Sequence, residues 1–155
     1  MEIIDYYADG PRILAEAIEG ITADQLKTMA EPGGWSIHQI VIHVVDAEMV
    51  YTGRIKQALA EECPEILPYD QDQWTARLDY HRMDIALYLQ LFALLRQANA
   101  QLLRTISDQD WQRTGHHAEA GELTVREMIE RLIEHVEVHA AKIKKLRHLI
   151  LEGQA

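Results

Sequence analysis

Two histidines four residues apart can share one metal ion when the chain between them is helical, because that spacing puts both rings on one face. His135 and His139 have this spacing inside TVREMIERLIEHVEVHAAKIKKLRH, residues 124–148. At ~100° per residue, Val125, Met128, Ile129, Leu132, Val136, Ile143 and Leu146 form one apolar stripe, and both histidines fall within it. A neutral imidazole carries one donor and one acceptor, and each such group buried without a partner costs about 1–3 kcal/mol. A divalent cation shared by both rings removes that cost and supplies a function. Val136 follows His135, so the glutamate of the H-E-x-x-H proteases is missing and zincin-type proteolysis is disfavoured.

His43 offers a third imidazole. It lies ~60° from Ile40 on a helical projection, at the edge of another apolar stripe. Three protein ligands leave at least one coordination position open, the mark of a catalytic rather than a structural metal site. Asp46 neighbours His43 on the helix surface and could accept a hydrogen bond from a ligand imidazole or act as a base. The plainer alternative is a set of core or surface histidines satisfied by carboxylates such as Glu134 or Asp46, with Asp46 simply a solvated helix carboxylate. The residues alone leave both readings open.

The elements that must position these groups are helical. Residues 3–19 predict a first helix, with Gly10-Pro11 marking a kink or a restart. ITADQL (21–26) reads as a short turn capped by Thr22, and EPGG (31–34) as a break. A second helix opens at Ser36, where Ser36 with Gln39 has capping-box spacing and Trp35 with Ile40 makes a hydrophobic staple. Residues 62–79, with Pro64 and Pro68, lack a sustained period and predict a long connector, a place where lids are found. A third helix covers about 80–104, and a polar loop, QRTGHHAEAGE, covers 112–122. The fourth helix opens at Thr124 with the same chemistry, Thr124 with Glu127 and Leu123 with Met128. The two halves therefore repeat one unit, and two such helix pairs make an all-α four-helix bundle. The histidines break the repeat. The counterpart of His43 is Arg131, and that of His135 is Ala47. A site that breaks the symmetry of its frame points to function.

Bulk properties narrow the classes. A chain of 155 residues, 48% hydrophobic and 26% charged, is expected to be one soluble domain over 1–155. A net charge of −10 argues against nucleic acid and against an anionic membrane surface as partners. No apolar run reaches the ~18 residues of a membrane span, and the acidic N-terminus lacks the layout of a signal peptide. Cys63 has no second cysteine to pair with, so a reducing cytoplasm is expected and the thiol reads as inert. Tyr69, Asp70 and Trp74 in PYDQDQW could shape a pocket as a lid or simply cap the bundle, and His117 could border that pocket. His116 and His81 read as surface residues, and KIKK (142–145) as a complement to the helix dipole.

WSIHQIVIHVVDAE, PYDQDQW, HAEAGELT and HVEVH, in this order over about residues 10–148, resemble the DinB/YfiT-like superfamily, and within it the YfiT-like, bacillithiol-transferase-type branch. The resemblance implies a four-helix bundle of up-and-down type with a long connector between the second and third helices, often dimeric. It implies a divalent metal, zinc or nickel, held at the positions of His43, His135 and His139. It also implies metal-dependent transfer of a low-molecular-weight thiol to an electrophilic small molecule. Hydrolysis by metal-activated water and a non-catalytic metal- or ligand-binding stress protein are the alternatives. One departure is visible: Arg54, Lys56, Arg77, Arg82, Arg113 and Arg131 are scattered in sequence, and no basic cluster for an acidic thiol is evident.

Overall fold

The computed structural model describes residues 2–153. Four long helices carry the fold: α1 (Ile3–Ile18), α3 (Ile37–Ala60), α5 (Ile85–Leu103) and α6 (Val125–Glu152). Two short helices, α2 (Ala23–Lys27) and α4 (Gln71–Arg77), sit in the connections. A three-stranded sheet of β1 (Glu65–Ile66), β2 (Thr114–His117) and β3 (Gly121–Thr124) closes one end. β1 runs parallel to β2, and β2 pairs antiparallel with β3. Both α1 and α3 pack against both α5 and α6, so α1 lies diagonally across the four-helix bundle from α3, and α5 from α6.

The caps set the starts of the site helices. Ser36 and Gln39 satisfy each other's backbone N–H groups at the head of α3, and Thr124 and Glu127 do the same for α6. Four expectations are corrected. The third helix begins at Ile85, because Asp84 accepts from the N–H groups of Ala86 and Leu87, and residues 80–82 form a separate 3-10 turn. The connector contains α4, started by Asp70 in the same way, and the supposed loop at 112–122 is the β2–β3 hairpin. The basic run KIKK lies well inside α6, which continues to Glu152, so it does not serve the dipole; Lys142 and Lys145 instead pair with Glu31.

Pro11 does not break α1, and the reason lies in the core. Proline cannot donate to the carbonyl four residues back, that of Tyr7. The Arg96 guanidinium donates to that carbonyl instead, at 2.5 Å. Arg96 also donates to Glu48 at 2.9 Å and to the Leu132 carbonyl at 2.9 Å, so one buried cation ties α5 to α1, α3 and α6. The Tyr7 hydroxyl donates to Glu48 and accepts from Asn99, whose amide also reaches Thr52. This polar layer falls between two apolar clusters, one including Tyr7, Ile55, Leu103 and Met128, the other Leu14, Val41, Phe92 and Ile143. A buried ion pair is tolerated only when its hydrogen bonds are met, and here they are.

Gly10 gives Arg96 its room: a Cβ added there would stand 2.8 Å from a guanidinium nitrogen that three helices hold in place. Gly10→Ala is therefore expected to lower unfolding stability by about 1–3 kcal/mol, measured by urea denaturation. A midpoint equal to that of the native chain would show that the guanidinium is free to move aside.

Candidate metal centre

α3 and α6 run antiparallel, and their facing stripes bring His43 opposite His135 and His139. The Nε2 atoms of His43 and His135 are 3.0 Å apart, and those of His139 and His135 are 3.1 Å apart. One ligand atom from each ring fits within a span of 4.8 Å. The ring centroids stand 4.4–4.9 Å apart in edge-to-face arrangements, and Trp35 meets His43 edge-on at 5.0 Å.

Hydrogen bonding alone does not account for this cluster. A ring nitrogen has one proton or one in-plane lone pair. The Nε2 of His135 has two short nitrogen neighbours and can serve only one of them. The Nδ1 atoms of His43 and His139 are buried without a hydrogen-bond partner among the described residues, so no carboxylate there satisfies these two rings. A divalent ion fits the donor set. Metal–nitrogen bonds of ~2.0–2.1 Å at tetrahedral angles place ligand nitrogens about 3.3 Å apart, close to the observed 3.0 and 3.1 Å.

Burial keeps these rings neutral, the form that binds metal. Loss of solvation pushes His43 down to about 4, with nearby His139 adding to it. Loss of solvation, then the charges of His139, His43 and Arg96, push His135 down to about 3. Burial lowers His139 as well.

A cavity of about 420 Å³ opens beside His135. Tyr69 and His117 line it, as do Tyr51, Arg54, Gln71 and Arg131. A second cavity of about 290 Å³ lies against His139, walled by Trp35, Ile40, Asp72 and Lys142. Gln71 borders both cavities. Trp74 lines neither; it stacks edge-on against Tyr69 at 4.9 Å and fixes that ring. The Nδ1 of His117 accepts from the N–H groups of Glu119 and Ala120, which leaves Nε2 as the ring's donor.

Asp46 is buried, and the hydrogen bond to its carboxylate comes from the Tyr80 hydroxyl rather than from an imidazole. Burial raises its pKa, and the Tyr80 hydrogen bond opposes the rise. His81 is half-buried and its Nε2 meets the Ser36 hydroxyl at 2.8 Å, while His38 Nε2 donates to the Met83 carbonyl at 2.9 Å. These bonds tie the 3-10 turn to the start of α3, so His81 is not the free surface residue expected. His116 is exposed, as expected, and so is Cys63.

The basic groups also differ from expectation. Arg54 and Arg131 are far apart in sequence yet share the cavity beside His135. The sequence carried a signal for both. His43, Ala47, Tyr51 and Arg54 follow one another on a single face of α3, and Arg131 stands one turn before His135.

Comparison with known proteins follows the same outline. The model of the DinB superfamily matches residues 6–143. A protein of Oceanobacillus iheyensis is 34% identical over 145 residues, which cover 94% of this chain and 84% of that one. YfiT of Bacillus subtilis is 34% identical over 137 residues, covering 88% and 77%. Both carry the working name of metal-dependent hydrolase. The solved structure of YfiT, described as having an unusual four-helix bundle topology, superposes with a TM-score of 0.88 at 32% identity, covering 94% of this chain and 84% of that one. The crystal structure of a mycothiol-dependent maleylpyruvate isomerase shares the fold at a TM-score of 0.70 and 15% identity, covering 90% of this chain and 58% of that one.

Buried neutral imidazoles give the metal-free protein a defined response to acid. Each binds a proton less readily folded than unfolded, so its contribution is complete above about pH 6.5 and is lost as the pH falls toward the folded values near 4 and 3 of His43 and His135. Glu31, held at about 2 by Lys142 and Lys145, acts only at lower pH. His38 is lowered by burial too, so a comparison is needed. In metal-free protein the urea midpoint is expected to fall between about pH 6.5 and 4.5, and His135→Asn to remove part of that slope. Identical slopes in the two proteins would contradict a buried neutral His135.

Proposed function

The chain belongs to the DinB superfamily, and from that premise we propose that it is a metal-dependent enzyme transferring a low-molecular-weight thiol to an electrophilic small molecule. His43, His135 and His139 would hold the ion, and zinc or nickel suits three imidazoles. When bound, such an ion supplies a Lewis acid that makes a thiol or a water nucleophilic at neutral pH.

The observation that carries transfer, rather than reaction with water alone, is the paired cavity. A compartment beside His135 and another beside His139 have Gln71 as a common wall residue, which supports two small molecules held on either side of one centre. The compartment at His139 is partly apolar, with Trp35 and Ile40, and suits the electrophile. The one at His135 carries tyrosines and arginines and suits the thiol. Tyr69, raised to about 12 chiefly by burial, stays protonated and can donate a hydrogen bond into the cavity. Trp74 holds Tyr69 in place, and His117 lines the same wall with a donor nitrogen. Asp46 acts through Tyr80, keeping the 3-10 turn seated on α3, rather than as a base at the centre. Hydrolysis is the second reading, favoured by the working names of the relatives.

A homodimer in the cytoplasm completes the proposal. Its support is the outer side of α5, where the exposed Ala86, Leu87, Gln90, Leu94, Gln97 and Ala98 carry no charge in a chain of net charge −10. No helix is long and apolar enough to cross a membrane among the described residues, and neither a nucleic acid nor a membrane is proposed as partner.

The test uses the zinc- or nickel-loaded protein with 1-chloro-2,4-dinitrobenzene as electrophile and cysteine as thiol. Thioether formation above the uncatalysed rate is expected, lost on chelation and reduced roughly a hundredfold in His135→Ala. Metal-dependent ester hydrolysis that needs no thiol, with no thioether formed, would replace transfer by hydrolysis.

A further inference from the structure

Arg54 is a cation in an unusual position. It is 7% exposed, yet it forms no ion pair with any carboxylate among the described residues. One of its terminal nitrogens donates to the Leu67 carbonyl at 2.7 Å. Its guanidinium lies over the Tyr51 ring at 4.8 Å and near the Tyr69 ring at 5.9 Å. A guanidinium has five N–H donors, and a carbonyl with two ring faces leaves several of them without a protein acceptor, and the charge without a counter-charge. The other buried arginine, Arg96, shows the contrast, since it is paired with Glu48 and bonded to two carbonyls. Arg54 differs from it in lining the cavity beside His135.

We infer that Arg54 is the anchor for a carboxylate group carried by the molecule that occupies the His135 cavity, so that the substrate class is a small carboxylate-bearing compound held at one end by Arg54 and presented to the histidine cluster at the other. This rests on the metal-centred reading above. The arrangement follows from helix geometry. Arg54 and His43 lie on one face of α3, about 16 Å apart along the axis, and an arginine side chain tilts toward the N-terminus of its helix, here toward His43. Arg131 enters the same cavity from α6, so positive charge reaches the ligand from two helices. A guanidinium pairs edge-on with carboxylates and phosphates alike, but Glu119 and Glu134 on the cavity wall oppose a second negative charge on the same group, which favours a carboxylate over a phosphate dianion.

The Nε–Hε resonance of Arg54 in ¹⁵N-arginine-labelled protein, assigned by its loss in Arg54→Lys, reports the site in the native chain. Succinate is titrated into metal-loaded and metal-stripped protein, with succinamide as the neutral match and inorganic phosphate as the competing anion. Succinate is expected to shift this resonance saturably in both forms and succinamide to leave it unmoved. Calorimetric affinity for succinate is expected to fall at least tenfold in Arg54→Met and less in Arg54→Lys. Equal affinity in Arg54→Met, a shift by succinamide, binding that needs the metal and ignores Arg54, or tighter binding of phosphate would each overturn the assignment. The native titration decides the matter even if Arg54→Met loosens the connector through Leu67. Failure of the thiol-transfer reading is seen separately, as absent thioether formation in native protein that still binds succinate through Arg54.

Discussion

Three crowded imidazole nitrogens, that of His135 within hydrogen-bonding distance of both others, impose the constraint from which the site follows. Nitrogens with one lone pair or one proton each cannot all be satisfied among themselves at 3.0 and 3.1 Å. The fold nevertheless holds them there. His43 is 1% exposed, and the ring stacking of Trp35 closes one side of it. An arrangement that is unfavourable for the protein alone becomes favourable when the three share a cation, which is why burial and function coincide at this point.

Holding α3 against α6 in this register is the task of the core between them. The polar layer around Arg96 and Glu48 lies at the level of the histidines, and one of its bonds ends on the Leu132 carbonyl, one turn before His135 and Val136. A purely apolar layer would allow the helices to slide with little loss. A layer whose donors and acceptors must meet particular partners resists such sliding. The proline of α1 is absorbed into the same layer, because the carbonyl it leaves free becomes an acceptor for Arg96.

Much of this was legible in the sequence. The capping boxes at Ser36 and Thr124 located the starts of both site helices, and the apolar stripes placed His43, His135 and His139 on inward faces. These are local signals, read within one or two helical turns. What escaped depends on contacts between distant segments. The hairpin at 114–124 has no strong alternation of its own, and β1, from the distant connector, pairs with it as a third strand. Arg54 and Arg131 looked scattered because sequence distance hides that antiparallel helices bring them together. Asp46 is near His43 along α3, yet Tyr80, thirty-four residues later, takes its hydrogen bond. Pro11 promised a kink or a restart, yet α1 runs through it as one helix, and Arg96 takes the carbonyl that the proline leaves free.

X-ray absorption at the metal edge of protein purified with its native ion, compared with His43→Ala, tests the centre most directly. The account predicts one divalent ion per chain with imidazole scattering from three nitrogens at ~2.0–2.1 Å, and a loss of one imidazole or of the ion in the variant. A protein that binds no ion stoichiometrically, or one whose ion keeps the same ligand shell in His43→Ala, would contradict it.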